Sequence, residues 1–183
     1  MTRLTVIAGP TAVGKGTVVR EILAMHPEIQ LSISVTTRPP RPGEIDGVHY
    51  HFVSPDEFDR MIAGGELLEY ATVHKLNQYG TPRRPVEVAL ASGKQIILEI
   101  DIQGARQIKK SMPTANLIFI SPPTEEDLVK RLASRGTEDD EEIRVRLATA
   151  RLEMASAGEF DHIVVNHEVA QCAKEVLELM QAN

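Results

Sequence analysis

A short, largely apolar run, Leu4 to Ala8, leads straight into "GPTAVGKGTV", and that junction constrains the fold more than any other stretch of the chain. A short apolar run ahead of a glycine-rich turn reads as a buried strand. Val18, Val19, Ile22, Leu23 and Met25 then recur at helical spacing until His26 and Pro27 stop the helix. Strand, glycine loop, helix is the context in which G-x-x-x-x-G-K, here Gly9 to Lys15, cradles phosphate. Backbone N–H groups aimed with the positive end of a helix dipole bind phosphate oxygens, and Lys15 adds a mobile charge. The loop departs from the usual spelling at one place. Gly16 follows the lysine, and the hydroxyl arrives one residue later at Thr17.

The rest of the chain alternates strands and helices. "QIILEI" (95–100), "ANLIFIS" (115–121) and "HIVVN" (162–166) read as strands, with helices predicted over 125–134, 138–157 and Val169 to Met180. That order predicts a parallel, doubly wound α/β sheet whose strands are apolar because both faces are covered. Two stretches break the alternation. Residues 28 to 53 are extended and turn-rich, since "LSISV" alternates and "RPPRPGEIDG" holds three prolines and two glycines. Ser54, Pro55 and Glu57 then open a helix that Gly64 and Gly65 end, "ELLEYATV" looks like strand, and a short helix follows from Val86 to Ala91. The arginine-bearing segment of about 124–156 is the second excursion.

A chain of 183 residues with 42% apolar and 25% charged residues suits one soluble domain. Its net charge of -6 argues against a general nucleic-acid binder, and no apolar run reaches membrane-span length. One cysteine, Cys172, excludes an internal disulfide and suits the cytoplasm, and its helical setting predicts packing. Positive residues are gathered locally: Arg38 and Arg41 in "TTRPPRPGE", and Lys130 with five arginines between 131 and 151. Small anionic ligands fit that distribution better than a long polyanion.

Several residues carry candidate chemistry. Arg38 and Arg41, three apart and near Tyr50, suit bidentate phosphate contacts, although solvated loop arginines would look the same. His49 and His51 alternate but lack a third ligand nearby. Glu99 and Asp101 fall on one face at the C-terminal end of a strand, where open α/β sheets bind ligands. Arg144 and Arg151 read as surface pairs, whereas Arg131, Arg135 and Arg146 call for a ligand that spacing alone does not supply.

Taken together, "GPTAVGKGTV", "SISVTTRPPRPGEIDGVHYHFVS", "GELLEY", "NQYGTP", "ILEIDIQGA", "ISPPTEEDLVKRLASRGTE" and "VRLATARLEM" resemble the guanylate kinases, in that family's order from residue 4 to about 166. The resemblance implies transfer of the ATP γ-phosphoryl group to GMP or dGMP, with Mg²⁺, on a P-loop core of about 1–32, 90–123 and 157–183. It also implies a mixed α+β GMP-binding lobe of about 33–89 and a helical lid of about 124–156. The ATP phosphates would lie on Gly9, Pro10, Thr11, Ala12, Val13, Gly14, Lys15, Gly16 and Thr17, with Arg131 and Asn166 nearer adenine. Arg38, Arg41, Tyr50 and Tyr79 would hold the GMP phosphate. Ser34, Glu69, Thr81 and Asp101 would read guanine, the hydroxyls of Ser34 and Thr81 donating to its O6. Lys15, Arg38, Arg135 and Arg146 would serve the transfer, and Glu99 would stand near Lys15, ribose and metal. No direct Mg²⁺ ligand is assigned; Thr17, Glu99 and Asp101 would act through water. The chain departs from the family at Gln78, where a second tyrosine is common, and at His167, where an acid is frequent. A catalytically silent peptide-binding relative is the rival reading, which the intact loop and Lys15 oppose. Oligomeric state stays open.

Overall fold

The apolar run ahead of the glycine loop forms β1 (Leu4–Ala8), buried at every residue. The computed structural model describes residues 4–73, 76–133 and 140–182, and the side chains among them other than those of 132, 133 and 140–146. After β1 come α1 (Lys15–Met25), β2 (Gln30–Leu31), β3 (Val35–Thr36), β4 (His51–Phe52) and α2 (Pro55–Ala63). Next are β5 (Leu67–Val73), β6 (Asn77–Pro82), α3 (Arg83–Ala91), β7 (Ile96–Glu99) and α4 (Ile102–Ser111). The chain continues with β8 (Asn116–Ser121), α5 (Glu125–Ala133), α6 (Asp140–Ala155), β9 (His162–Val165) and α7 (Val169–Ala182).

Two sheets result. The larger has the order β2-β7-β1-β8-β9 and is parallel throughout. Its strands are apolar on both faces because both are covered. Ile7, Ile97, Ile118 and Val164 pack against Val18 and Ile22 of α1 and Cys172, Ala173 and Val176 of α7. Leu4, Val6, Leu98 and Leu117 pack on the opposite face against Val86 of α3 and Ala105 and Ile108 of α4. This is the doubly wound arrangement that the alternating sequence predicts. Cys172 is 1% exposed and packs within the first of these cores, where burial pushes its thiol up to about 11.

The smaller sheet has the order β4-β3-β6-β5, with β3 and β4 parallel and the other pairs antiparallel. Its own core is small: Val35, Phe58 and Leu67, with Val53, Met61 and Ile62 packed alongside. The expected cap forms at α2, where the Glu57 N–H donates to the Ser54 hydroxyl at 3.2 Å.

Two features differ from the sequence expectation. The alternating run "LSISV" is divided between sheets, β2 joining the large one and β3 the small one. "NQYGTP", with little β-propensity of its own, becomes β6 because β5 pairs along it, Glu69 opposite Thr81 and Ala71 opposite Tyr79. That pairing also draws α3 back to Arg83, ahead of Val86. Gln107 of α4 stitches the sheets together. Its amide donates to the Tyr70 carbonyl at 2.7 Å and accepts the Tyr70 N–H at 3.2 Å, satisfying backbone groups on an edge strand.

Candidate active site

Every strand of the large sheet delivers its C-terminal end to the same side, and the glycine loop leaves β1 there. Gly14 takes φ 97°, a conformation costly for any residue with a side chain, and caps α1. No acidic residue occupies the first turn of α1, so its positive end is left for an incoming anion. Lys15 folds back over the loop, its Nζ donating to the carbonyls of Gly9 at 2.6 Å and Pro10 at 3.1 Å.

Other elements brace the loop. The Val13 carbonyl accepts from Nη1 of Arg131 on α5 at 2.9 Å and from Nδ2 of Asn166 beyond β9 at 2.8 Å. Arg131 Nη2 also donates to the Asn166 carbonyl at 2.9 Å. Asn166 is 2% exposed, and its Oδ1 has no hydrogen-bond partner among the described residues. Thr17 is exposed and accepts a bond from Arg20 at 3.2 Å. Glu99, at the end of β7, lies against the backbone of Gly16: a Cβ there would stand 3.4 Å from Oε1. Burial raises the Glu99 carboxyl above its ordinary range, while Lys15 and Arg20 pull it back.

A cleft of about 260 Å³ opens between the sheets, lined among others by Gly9, Thr11, Ala12, Lys15, Ser34, Tyr50, Glu69, Tyr79, Glu99 and Asp101. The phosphate loop therefore shares one space with Ser34, Tyr50, Glu69, Tyr79, Glu99 and Asp101, whereas Arg38, Arg41 and Thr81 are not among the residues that line it. Glu69, in its wall, is 4% exposed, and the Thr81 hydroxyl donates to its Oε1 at 2.6 Å. Burial pushes the Glu69 carboxyl up to about 7; Thr81 opposes this and Asp101 adds to it. The single hydroxyl proton of Thr81 is thus spent on Glu69, whereas the Ser34 hydroxyl at the cleft wall makes no side-chain hydrogen bond among the described residues. Asp101 caps α4, its Oδ1 accepting the Gly104 N–H at 2.7 Å.

Arg38 is held by an internal anion. Its Nη1 and Nη2 reach the two oxygens of Glu44 at 3.0 and 2.9 Å, and Nε donates to the Tyr79 hydroxyl at 3.3 Å. Its guanidinium also lies 5.4 Å from the Tyr50 ring centre and 5.8 Å from that of Phe52. Glu44 additionally accepts the Arg41 N–H at 2.7 Å, so one carboxylate organises both arginines of the segment. Arg41 is exposed at the tip. Arg151 pairs with Glu125 on the surface. Arg135 lies outside the described residues, as do the side chains of Arg144 and Arg146.

Three residues that the sequence reading passed over belong to this site. Glu44 stands inside the quoted "TTRPPRPGE", where a charged residue three after Arg41 was the available signal. Gly104 gives Glu69 its room: a Cβ on it would fall 2.4 Å from Oε2. Glu153 of α6 reaches the cleft wall and accepts the Thr11 N–H at 3.1 Å. Nothing in the helical pattern of "RLEM" marks it out.

The fold and the placement of the loop define a P-loop kinase. Consistent with that class, a shikimate kinase from Bacteroides thetaiotaomicron superposes with a TM-score of 0.54 over 97% of each chain at 13% identity, a likeness of fold alone. A guanylate kinase from Anaplasma phagocytophilum is much nearer, with a TM-score of 0.83 and 31% identity over 99% of this chain and 86% of that one. The guanylate kinase of Leifsonia xyli subsp. xyli is 61% identical over 97% of this chain and 70% of its own length. That of Cutibacterium acnes is 53% identical over 97% and 89%. The guanylate kinase family model matches residues 1–183. The chain belongs to the guanylate kinase family.

Proposed function

We propose that the chain transfers the γ-phosphoryl group of ATP to GMP, giving ADP and GDP, the activity for which its family is named, and that dGMP serves as well. One observation carries the assignment of sites. A buried carboxylate oriented by a hydroxyl, Glu69 with Thr81, faces the same cleft as the phosphate loop and Lys15.

Guanine presents O6 as an acceptor beside N1–H and N2–H donors. Ionised Glu69 takes both donors, Thr81 fixes its orientation, and Ser34 donates to O6 with Asp101 alongside. Adenine would set an unprotonated N1 against the carboxylate, and a buried mismatch of that kind discriminates strongly. Arg38, Arg41, Tyr50 and Tyr79 take the GMP phosphate, with Arg38 exchanging its Glu44 partner for phosphate oxygens. The amides from Gly14 to Thr17 and the Lys15 ammonium take the donor phosphates, and Asn166 and Arg131 brace the loop on the adenine side.

The nucleophile is a GMP phosphate oxygen, already largely anionic at neutral pH because the second phosphate pKa is about 6. Catalysis therefore consists of bringing two polyanions together in line and neutralising them. Residues of about 33–89 act as the GMP lobe and those of about 124–156 as a lid that carries Arg135 and Arg146 to the transferring group and excludes water. The exposed Thr17 hydroxyl and the Glu99 carboxylate against Gly16 are oxygen donors of the kind a hard cation accepts. With Asp101 they would hold Mg²⁺ through water, and bound Mg²⁺ would supply charge neutralisation at the β- and γ-phosphates. No described helix is long and apolar enough to cross a membrane, and a reducing cytoplasm suits the single buried thiol.

A coupled assay with MgATP tests this reading across GMP, dGMP, AMP, CMP and UMP. GMP and dGMP should turn over far faster than the others; equal rates on AMP would remove Glu69 and Ser34 from base recognition.

A further inference from the structure

The segment Thr11–Ala12–Val13 is fastened to the helix pair α5–α6 at three consecutive residues. Glu153 of α6 accepts the Thr11 N–H at 3.1 Å, and Arg131 of α5 donates to the Val13 carbonyl at 2.9 Å. Between them the Ala12 side chain packs against the small core of that pair, Leu128, Leu147 and Ala150. Ala12 is also the one non-glycine residue with positive φ among the described residues, at 65°. Such a conformation persists only where the surroundings enforce it.

Glu153 is an unexpected choice beside a phosphate site. Burial raises its carboxyl, Lys15 draws it back and Asp101 adds to the rise. A carboxylate next to incoming phosphates repels them unless it does something at that position that a neutral side chain does less well. Here it makes a charge-assisted bond to a loop amide, from a helix that otherwise touches the loop only through apolar packing among the described contacts.

We propose that Glu153 is a positioning residue for the phosphoryl donor. It holds Thr11 and the strained Ala12 in the phosphate-ready conformation and so couples donor binding to the α5–α6 pair. The proposal rests on the reading of the loop as the ATP site. A carboxylate that merely occupied the loop until nucleotide displaced it would act in the opposite sense, and its removal would tighten binding.

Calorimetric titration of ADP and, separately, GMP into wild type, Glu153→Ala and Glu153→Gln decides between these. The amide signals of Thr11 and Ala12 would be followed by ¹⁵N NMR in the same proteins. Glu153→Ala should weaken ADP by about tenfold, the range of a lost amide–carboxylate bond, and leave GMP within about twofold. The Thr11 and Ala12 amides should move or broaden, and Gln, which keeps an acceptor, should restore both readouts to within about threefold of wild type. Glu153→Leu gives the same comparison should the alanine variant fail to fold. Unchanged or tighter ADP binding, or an equal loss for ADP and GMP, overturns the proposal. Failure of the underlying function would appear instead as wild-type protein that binds neither nucleotide.

Discussion

In the function proposed above, the two halves of the cleft recognise anions and bases by different means. On the large-sheet side, the glycine loop offers backbone amides, and the strand behind it is locked into a core covered on both faces. On the small-sheet side, the proposed recognition rests on side chains, and two of them already have partners in the protein: Arg38 with Glu44 and Glu69 with Thr81. A backbone cradle needs only a conformation, so a short motif can encode it. A side-chain reader needs an orientation, and here that orientation comes from residues 6 and 12 positions away. The small sheet's core of three buried side chains is also thin beside the two large ones, which suits a lobe expected to move.

Three measurements would break or sharpen that contrast. Lys15→Ala should give the largest effect, a fall in kcat of roughly 10³-fold or more, because transition-state charge loses a close counterion. GMP affinity should scarcely change, since acceptor recognition belongs to the other half; turnover within tenfold of wild type would show that the loop is not the donor site. Gly104→Ala comes next. Its methyl would fall 2.4 Å from Glu69 Oε2, so the carboxylate must leave its place. KM for GMP should rise by on the order of 10²-fold, as for a polar site left mispaired, while KM for ATP holds. Equal changes in both constants would mean that α4 moved as a whole.

The smallest effect is the pH dependence of Glu69. Its folded carboxyl titrates at about 7 against 4.5 for the free group, with burial as the main cause. Guanine requires the ionised form, so KM for GMP should fall as pH rises from 6 to 8, by at most about tenfold per unit. Stability runs the other way: a raised folded pKa favours the fold fully below the free value and loses that stability as pH passes about 7. The loss is on the order of 3 kcal/mol at about 1.4 kcal/mol per unit. Glu69→Gln should flatten both profiles, and the comparison cancels the titration of GMP's own phosphate. A wild-type profile identical to that of the Gln variant would place the titration elsewhere.

Much of the fold could be read directly. β1, β7, β8, β9 and α7 fall within a residue or two of their expected bounds, and α1 ends where His26 and Pro27 predict, because strands buried on both faces and amphipathic helices leave strong periodic patterns. β6 could not be read, since "NQYGTP" becomes strand only through β5 beside it. The split of "LSISV" between two sheets was equally hidden, because alternation says which faces a strand has but not which neighbours. At the site, the arginines and Glu69 stood out by resemblance. Glu44 had a local signal, an acid three residues after Arg41, whereas Gly104 and Glu153 act on residues distant in sequence, and their own neighbourhoods carry no mark of it.

The sequence by itself determined the phosphate loop, the parallel core beneath it and the family, because a glycine turn between strand and helix is a local conformational demand. Only the tertiary structure decided which groups face each other across the cleft. It spends the Thr81 proton on Glu69, gives Arg38 to Glu44 and Thr11 to Glu153, since hydrogen-bond partners are chosen by distance in space and a buried polar group takes the nearest one that satisfies it.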